Sequence, residues 1–157
     1  MNKIESFRID HTLLYPGVYI SRVDDVNDTP ITTYDLRLVK PNTPDVLSSA
    51  AMHAMEHLGA TFLRNSSLSD EVIYFGPMGC RTGFYLILKG NRSPLDLQSI
   101  LTDTFAFIAQ HNGPIPGASA VECGNYTDMD LDAAKKASEE YLNILKHLSD
   151  QNTQYPQ

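Results

Sequence analysis

The stretch from Val46 to Arg64 constrains this chain more than any other. At roughly 100° per residue, Leu47, Ala51, Ala54, Met55, Leu58 and Phe62 form one continuous apolar stripe. A helix with such a stripe must bury it, so the rest of the chain has to supply a surface for it to lie on. His53, Glu56, His57 and Arg64 gather on the other side of the same helix. Two histidines at i and i+4 stand one turn apart on one side of a helix and can bind a single metal ion. Glu56 follows His53 by three residues and stands beside the same spot. The cluster avoids the apolar stripe, so packing does not account for it.

The surface is expected to be a sheet. Val18 to Val23 reads as a strand, Asp24 to Pro30 as a loop, and Ile31 to Lys40 as a second strand with clean alternation. Glu71 to Phe75 and Gly83 to Lys89 give two more strands, with a bend at Gly76-Pro77-Met78-Gly79 between them. Ser93-Pro94 supplies an N-cap and a proline at the first helical position, opening a helix to about Gln110. Asp130 caps a last amphipathic helix to about Leu148. The pattern predicts the α+β class: a mostly antiparallel four-stranded sheet with helices packed on one face. Residues 1–150 are expected to form a single domain, and the polar residues 151–157 a frayed tail.

Bulk properties narrow the function classes. The net charge of −7 argues against nucleic acid or an anionic membrane as the main partner. No apolar run approaches the ~18 residues of a membrane span. The opening MNKIESFRIDHT lacks the apolar core of a signal peptide, so a cytoplasmic location is expected. In that setting Cys80 and Cys123 are expected as free thiols or metal ligands rather than as a disulfide.

A metal held by His53 and His57 needs at least one more protein ligand. Downstream candidates are Cys80, Glu122, Cys123, His111 and His147. Two imidazoles and a thiolate suit zinc, iron or cobalt in the divalent state. Spacing alone does not separate Glu122 from Cys123. With Glu122 as third ligand, the His53-Ala-Met-Glu-His57 run fits an HxxEH-type zinc metallopeptidase, with Glu56 as general base. That reading leaves Cys80 without a role, and such peptidases are usually much larger chains. Cys80 lies in the glycine-flanked run Gly76-Pro-Met-Gly-Cys-Arg-Thr-Gly83, which permits a tight turn and close approach to a ligand. A thiolate there could act as a nucleophile or carry protons. Its structural alternative is a buried cysteine between two strands. A catalytically silent metal-binding protein is a further alternative.

Several runs taken together resemble the S-ribosylhomocysteine lyase (LuxS) family. They are Ser6-Phe-Arg-Ile-Asp-His-Thr12, Tyr34-Asp-Leu-Arg37, His53-Ala-Met-Glu-His-Leu58, Pro77-Met-Gly-Cys-Arg-Thr-Gly-Phe-Tyr85 and Glu122-Cys123-Gly124. The resemblance implies a homodimer with shared active sites and one divalent metal per chain on His53, His57 and Cys123. Iron(II) is the native metal it implies, with zinc or cobalt able to replace it. It implies cleavage of S-ribosylhomocysteine to homocysteine and 4,5-dihydroxy-2,3-pentanedione, the precursor of the quorum-sensing signal autoinducer-2. The route is metal-assisted carbonyl migration followed by β-elimination. Cys80 and Glu56 would be the catalytic proton carriers. Ser6, His11 and Arg37 would line the ribose site, and Arg64 would lie near the homocysteine end. One stretch departs from the family pattern: Tyr74-Phe75-Gly76 stands where many members carry an acidic residue and an isoleucine, which bears on affinity for the substrate's amino group.

Overall fold

A computed structural model describes residue 4 and residues 7–156. Four strands form one antiparallel sheet: β1 (Gly17–Val26), β2 (Thr29–Arg37), β3 (Val72–Pro77) and β4 (Gly83–Lys89), in the spatial order β1-β2-β4-β3. Three helices, α1 (Ser49–Arg64), α2 (Gln98–Gln110) and α3 (Leu131–Leu145), complete the α+β architecture.

Alternation along the strands decides which face the helices cover. Val18, Tyr34, Leu36, Phe84, Leu86 and Leu88 share one face and are fully buried. They join Ala54, Met55 and Leu58 of α1, Leu101, Phe105 and Ile108 of α2, and Ala134, Tyr141 and Leu145 of α3 in one apolar cluster. Non-directional burial of this surface is the main force holding helices to sheet. Aromatic packing adds shape: Phe75 stacks on Phe84 at 5.0 Å, and Phe105 meets Tyr141 edge-on at 4.7 Å.

Three expectations need correcting. The loop expected at Asp24 to Pro30 is a tight hairpin: β1 runs on to Val26, β2 begins at Thr29, and Asn27 and Asp28 both have positive φ (51° and 63°). Such a two-residue turn matches the natural twist of the paired strands, and Asn and Asp tolerate it. Helix α1 begins at Ser49, not Val46, because the Ser48 hydroxyl accepts the Ala51 amide at 3.1 Å and caps it. Its buried face is also wider than the expected stripe and includes Met52, Gly59 and Leu63, since α1 packs against β3, α2 and α3 at once. The described residues of the tail make specific contacts. A short 3-10 turn at Asp150–Asn152 is closed by a reciprocal Ser149–Asn152 capping box, and Tyr155 stacks on Tyr19 with ring centroids 4.8 Å apart.

Candidate metal centre and active site

The core-facing side of α1 fixes the outward-facing side. With Ala54, Met55 and Leu58 buried in the core, His53, Glu56 and His57 are half-buried at the edge of the domain. The loop after α2 and the turn before α3 fold back over them. His57 Nδ1 lies 2.8 Å from the Pro116 carbonyl, and His53 Nδ1 lies 2.9 Å from the Asp128 carbonyl. Each Nδ1 therefore donates its proton to a backbone oxygen, which leaves each Nε2 as a bare lone pair, the form a metal requires. Gly117 makes the approach over His57 possible. Its φ is +72°, and a Cβ there would meet the imidazole at 3.1 Å.

Cys123 completes the group. Its Sγ lies 3.4 Å from His53 Nε2, and the ligand atoms of His53, His57 and Cys123 all fall within 4.8 Å of one another. Two imidazole nitrogens and a thiolate, each half-buried, fit a tetrahedral divalent ion with a fourth position open. Glu122 is not part of this group. Its carboxylate accepts the Ser119 hydroxyl at 2.7 Å, within a turn that a backbone bond from the Cys123 amide to the Ser119 carbonyl closes. His111 and His147 are engaged with the Pro114 and Asn143 carbonyls. Among the described residues, the group that could hold a metal ion includes Cys123 and not Glu122.

A hollow of about 400 Å³ opens beside the group, lined by Ser49, Met52, His53, Glu56, Pro77, Met78, Gly79 and Arg81. Glu56 thus faces the same space as His53. The Met78–Arg81 turn is closed by the Arg81 amide on the Met78 carbonyl at 3.0 Å, and Arg81 adopts φ +60°. A non-glycine residue there stores local strain, which is found most often at functional sites.

Cys80, in this turn, is exposed and free. With His11, Pro41, Asn42, Val46 and Thr82 it lines a second hollow of about 240 Å³. Its Sγ lies 3.1 Å from Thr82 Oγ1 and 3.9 Å from Arg37 Nη1. Arg37 donates to Thr82 Oγ1 and is held from behind by Asp35 in a bidentate pair, 3.1 Å at Nε and 2.6 Å at Nη2. Both side chains are buried (3% and 1% exposed). Burial opposes the charge on Arg37, but the Asp35 carboxylate outweighs it and holds the guanidinium pKa above its ordinary value.

The sequence-derived site residues therefore fall into two groups. His53 groups with His57 and Cys123 and lines the first hollow with Glu56, while Cys80 and His11 line the second, with Arg37 beside Cys80. Ser6 lies outside the described residues. Arg64 joins neither hollow, since it donates to the Val72 and Ile73 carbonyls of β3. Sequence reasoning overlooked Asp35, Thr82 and Arg81. Two of these had a signal: Asp35 is two residues from Arg37 on a strand and so on the same face, and Thr82 lies between the two flagged turn residues Cys80 and Gly83.

An α+β domain with a two-histidine, one-cysteine set that could hold a metal ion, and a free thiol on a glycine-flanked turn, has the outline of a small enzyme. Comparison with known proteins narrows the class. Residues 4–152 match the family model described as S-ribosylhomocysteinase (LuxS). The chain is 53% identical over 157 residues to an S-ribosylhomocysteine lyase of Finegoldia magna, covering 100% of both chains. It is 51% identical to that of Clostridium beijerinckii and 52% identical to that of Desulfotalea psychrophila, covering 99% of each chain in both cases. The chain belongs to the S-ribosylhomocysteinase (LuxS) family.

Proposed function

We propose that this chain is a carbon–sulfur lyase that cleaves S-ribosylhomocysteine to homocysteine and 4,5-dihydroxy-2,3-pentanedione. The observation that carries the reading is the meeting of His53, His57 and Cys123, with His53 and Glu56 lining one hollow. Family membership over nearly the whole chain supports it.

The substrate's chemistry dictates what the residues must do. The ribose carbonyl starts at C1, too far from the C5–S bond to assist its cleavage. It must move to C3 by successive proton shifts. Removal of the C4 proton then expels the thiolate from C5, and the resulting enol returns to the ketone. An ion bound by His53, His57 and Cys123 would supply Lewis acidity to the sugar oxygens. Glu56 and Cys80 carry the protons between neighbouring carbons. Arg37 and His11, with Ser6, orient the ribose, and Arg37 places a positive charge beside the Cys80 sulfur. Arg64 serves the homocysteine end, once it releases the β3 carbonyls it holds.

The assembly we propose is a homodimer with shared active sites, in which one subunit's His11 and Arg37 face the metal group of the other. Supporting it, His11 lines a different hollow from His53 and Glu56, and Arg37 lies beside Cys80, which lines that second hollow too. Since Arg37 and Cys80 are neighbours within a chain, Cys80 travels with them. The native ion is iron(II), with zinc or cobalt as substitutes. We place the enzyme in the cytoplasm, as one domain per chain, with its dicarbonyl product feeding autoinducer-2 and its thiol product homocysteine metabolism. Among the described residues no helix is long and apolar enough to cross a membrane.

Incubation with S-ribosylhomocysteine, followed by trapping of the dicarbonyl with an aromatic diamine, tests the reading. A lyase gives the trapped product. A peptidase would leave the substrate intact and cleave a peptide, and a silent metal-binding protein would do neither.

A further inference from the structure

Tyr155, the third residue from the C-terminus, reaches the buried ion pair behind Cys80. Its hydroxyl donates to Asp35 Oδ2 at 2.9 Å, the same oxygen that receives Arg37 Nη2. Asp35 and Arg37 sit on the sheet face away from the helices, paired in register with Tyr19 and Gly83 respectively. A line of contacts therefore runs from the chain terminus to the thiol: Tyr155 to Asp35, Asp35 to Arg37, Arg37 to Thr82 and Cys80.

The tail is held there by independent contacts. The Ser149–Asn152 capping box sets its direction. Gly17, the first residue of β1, lets it lie flat, since any Cβ at that position would run into the Asn152 carbonyl. The Tyr155 ring stacks on Tyr19 with an interplanar angle of 5°, and the Tyr19 hydroxyl is tied to the Tyr15 carbonyl. From the other side of β1, the Tyr141 hydroxyl of α3 donates to the Gly17 carbonyl at 2.9 Å.

We propose that Tyr155 is a positioning residue of the active site: its hydroxyl fixes the Asp35 carboxylate, and Asp35 in turn holds the Arg37 fork against Thr82 and Cys80. The physical reason is rotational. The terminal torsion of an aspartate is soft, and two donors from a single arginine leave the pair free to tilt as a unit. A third donor from a different element removes that freedom and satisfies a lone pair of a buried acid. Burial, and after it the Asp35 carboxylate, pushes the Tyr155 phenol far above its ordinary range, so it stays protonated and donates.

The proposal rests on the reading that Arg37 and Cys80 belong to the lyase site. One readout that needs no substrate keeps the two apart: the rate at which iodoacetamide alkylates Cys80 in the metal-loaded protein, located by mass spectrometry. Tyr155→Phe keeps the ring and the Tyr19 stack and removes only the hydroxyl. It should leave Tm nearly unchanged, yet slow Cys80 alkylation and lower kcat/KM by about twofold to tenfold, as groups in one hydrogen-bond network commonly couple. Combined with Asp35→Asn, it should add nothing beyond Asp35→Asn alone, because Tyr155 acts through Asp35. If Tyr155→Phe alkylates like the unaltered protein, and only Tyr155→Leu, which also loses the stack, is slowed, the tail is a structural clamp and the proposal fails. Additive losses in the double variant would overturn it as well. Absence of lyase activity in the unaltered protein would instead count against the proposed function, with the alkylation comparison still standing.

Discussion

Cys123 Sγ lies 3.4 Å from His53 Nε2, although 70 residues separate them in the chain. Nothing local to either residue brings this about. A backbone turn, in which the Cys123 amide donates to the Ser119 carbonyl at 2.9 Å, presents the thiol, and the Asp128 carbonyl aims the imidazole. The metal should therefore depend on all three ligands and not on Glu122. His53→Ala, His57→Ala and Cys123→Ala are each expected to lose the one divalent ion per chain, measured by elemental analysis of purified protein. Glu122→Ala should keep it. The reverse pattern for the last two would restore the peptidase reading.

Cys80 should separate cleanly from the metal. Its sulfur lies by Thr82 and Arg37 and is not one of the three candidate metal ligands. Cys80→Ala is expected to retain full metal while losing turnover by about 10²–10⁴-fold, the usual contribution of one acid–base group. Both cysteines are free. Finding a Cys80–Cys123 disulfide in active protein, by mass spectrometry without reductant, would contradict the role.

Shared active sites make a prediction about mixtures. His57→Ala and His11→Ala should each be nearly inactive alone. Unfolded and refolded together, they form mixed dimers in which one site carries both lesions and the other neither, so activity returns. Because Arg37 and Cys80 form one unit, Cys80→Ala should complement His57→Ala in the same way. If Cys80 served the metal of its own chain, that second mixture would stay inactive while the first revived.

Alkaline stability has a defined sign. Burial, and after it the Asp35 carboxylate, raises the Tyr19 phenol to about 12 from an ordinary 10.0. The folded state thus holds this proton more tightly than the unfolded chain. The associated stability is fully present below pH 10 and is lost as pH rises through about 12. Tyr19→Phe should remove this alkaline decline, on the order of 2 kcal/mol in urea unfolding between those limits. An unchanged slope of stability against pH in the variant would contradict the assignment.

These outcomes depend on features of unequal legibility. The histidine pair and the buried side of α1 could be read directly, because helical periodicity is local. The sheet could be read from alternation, and its Asn27-Asp28 turn was readable too, since those residue types favour positive φ. Cys123 could not be told from Glu122 without the Ser119 turn. The relation of Tyr155 to Asp35 spans 120 residues and comes from tertiary packing, so a polar tail gave no local sign of it. The two-group layout of the site was hidden for a similar reason. Cys80 and Gly79 are adjacent in sequence but line different hollows.

The most direct measurement is thiol release from S-ribosylhomocysteine by the metal-loaded protein, followed with a disulfide reagent alongside loss of substrate. The account predicts one free thiol per substrate consumed, with no release by His57→Ala and only a trace by Cys80→Ala. Intact substrate in the presence of stoichiometric metal, or undiminished release by Cys80→Ala, would contradict it.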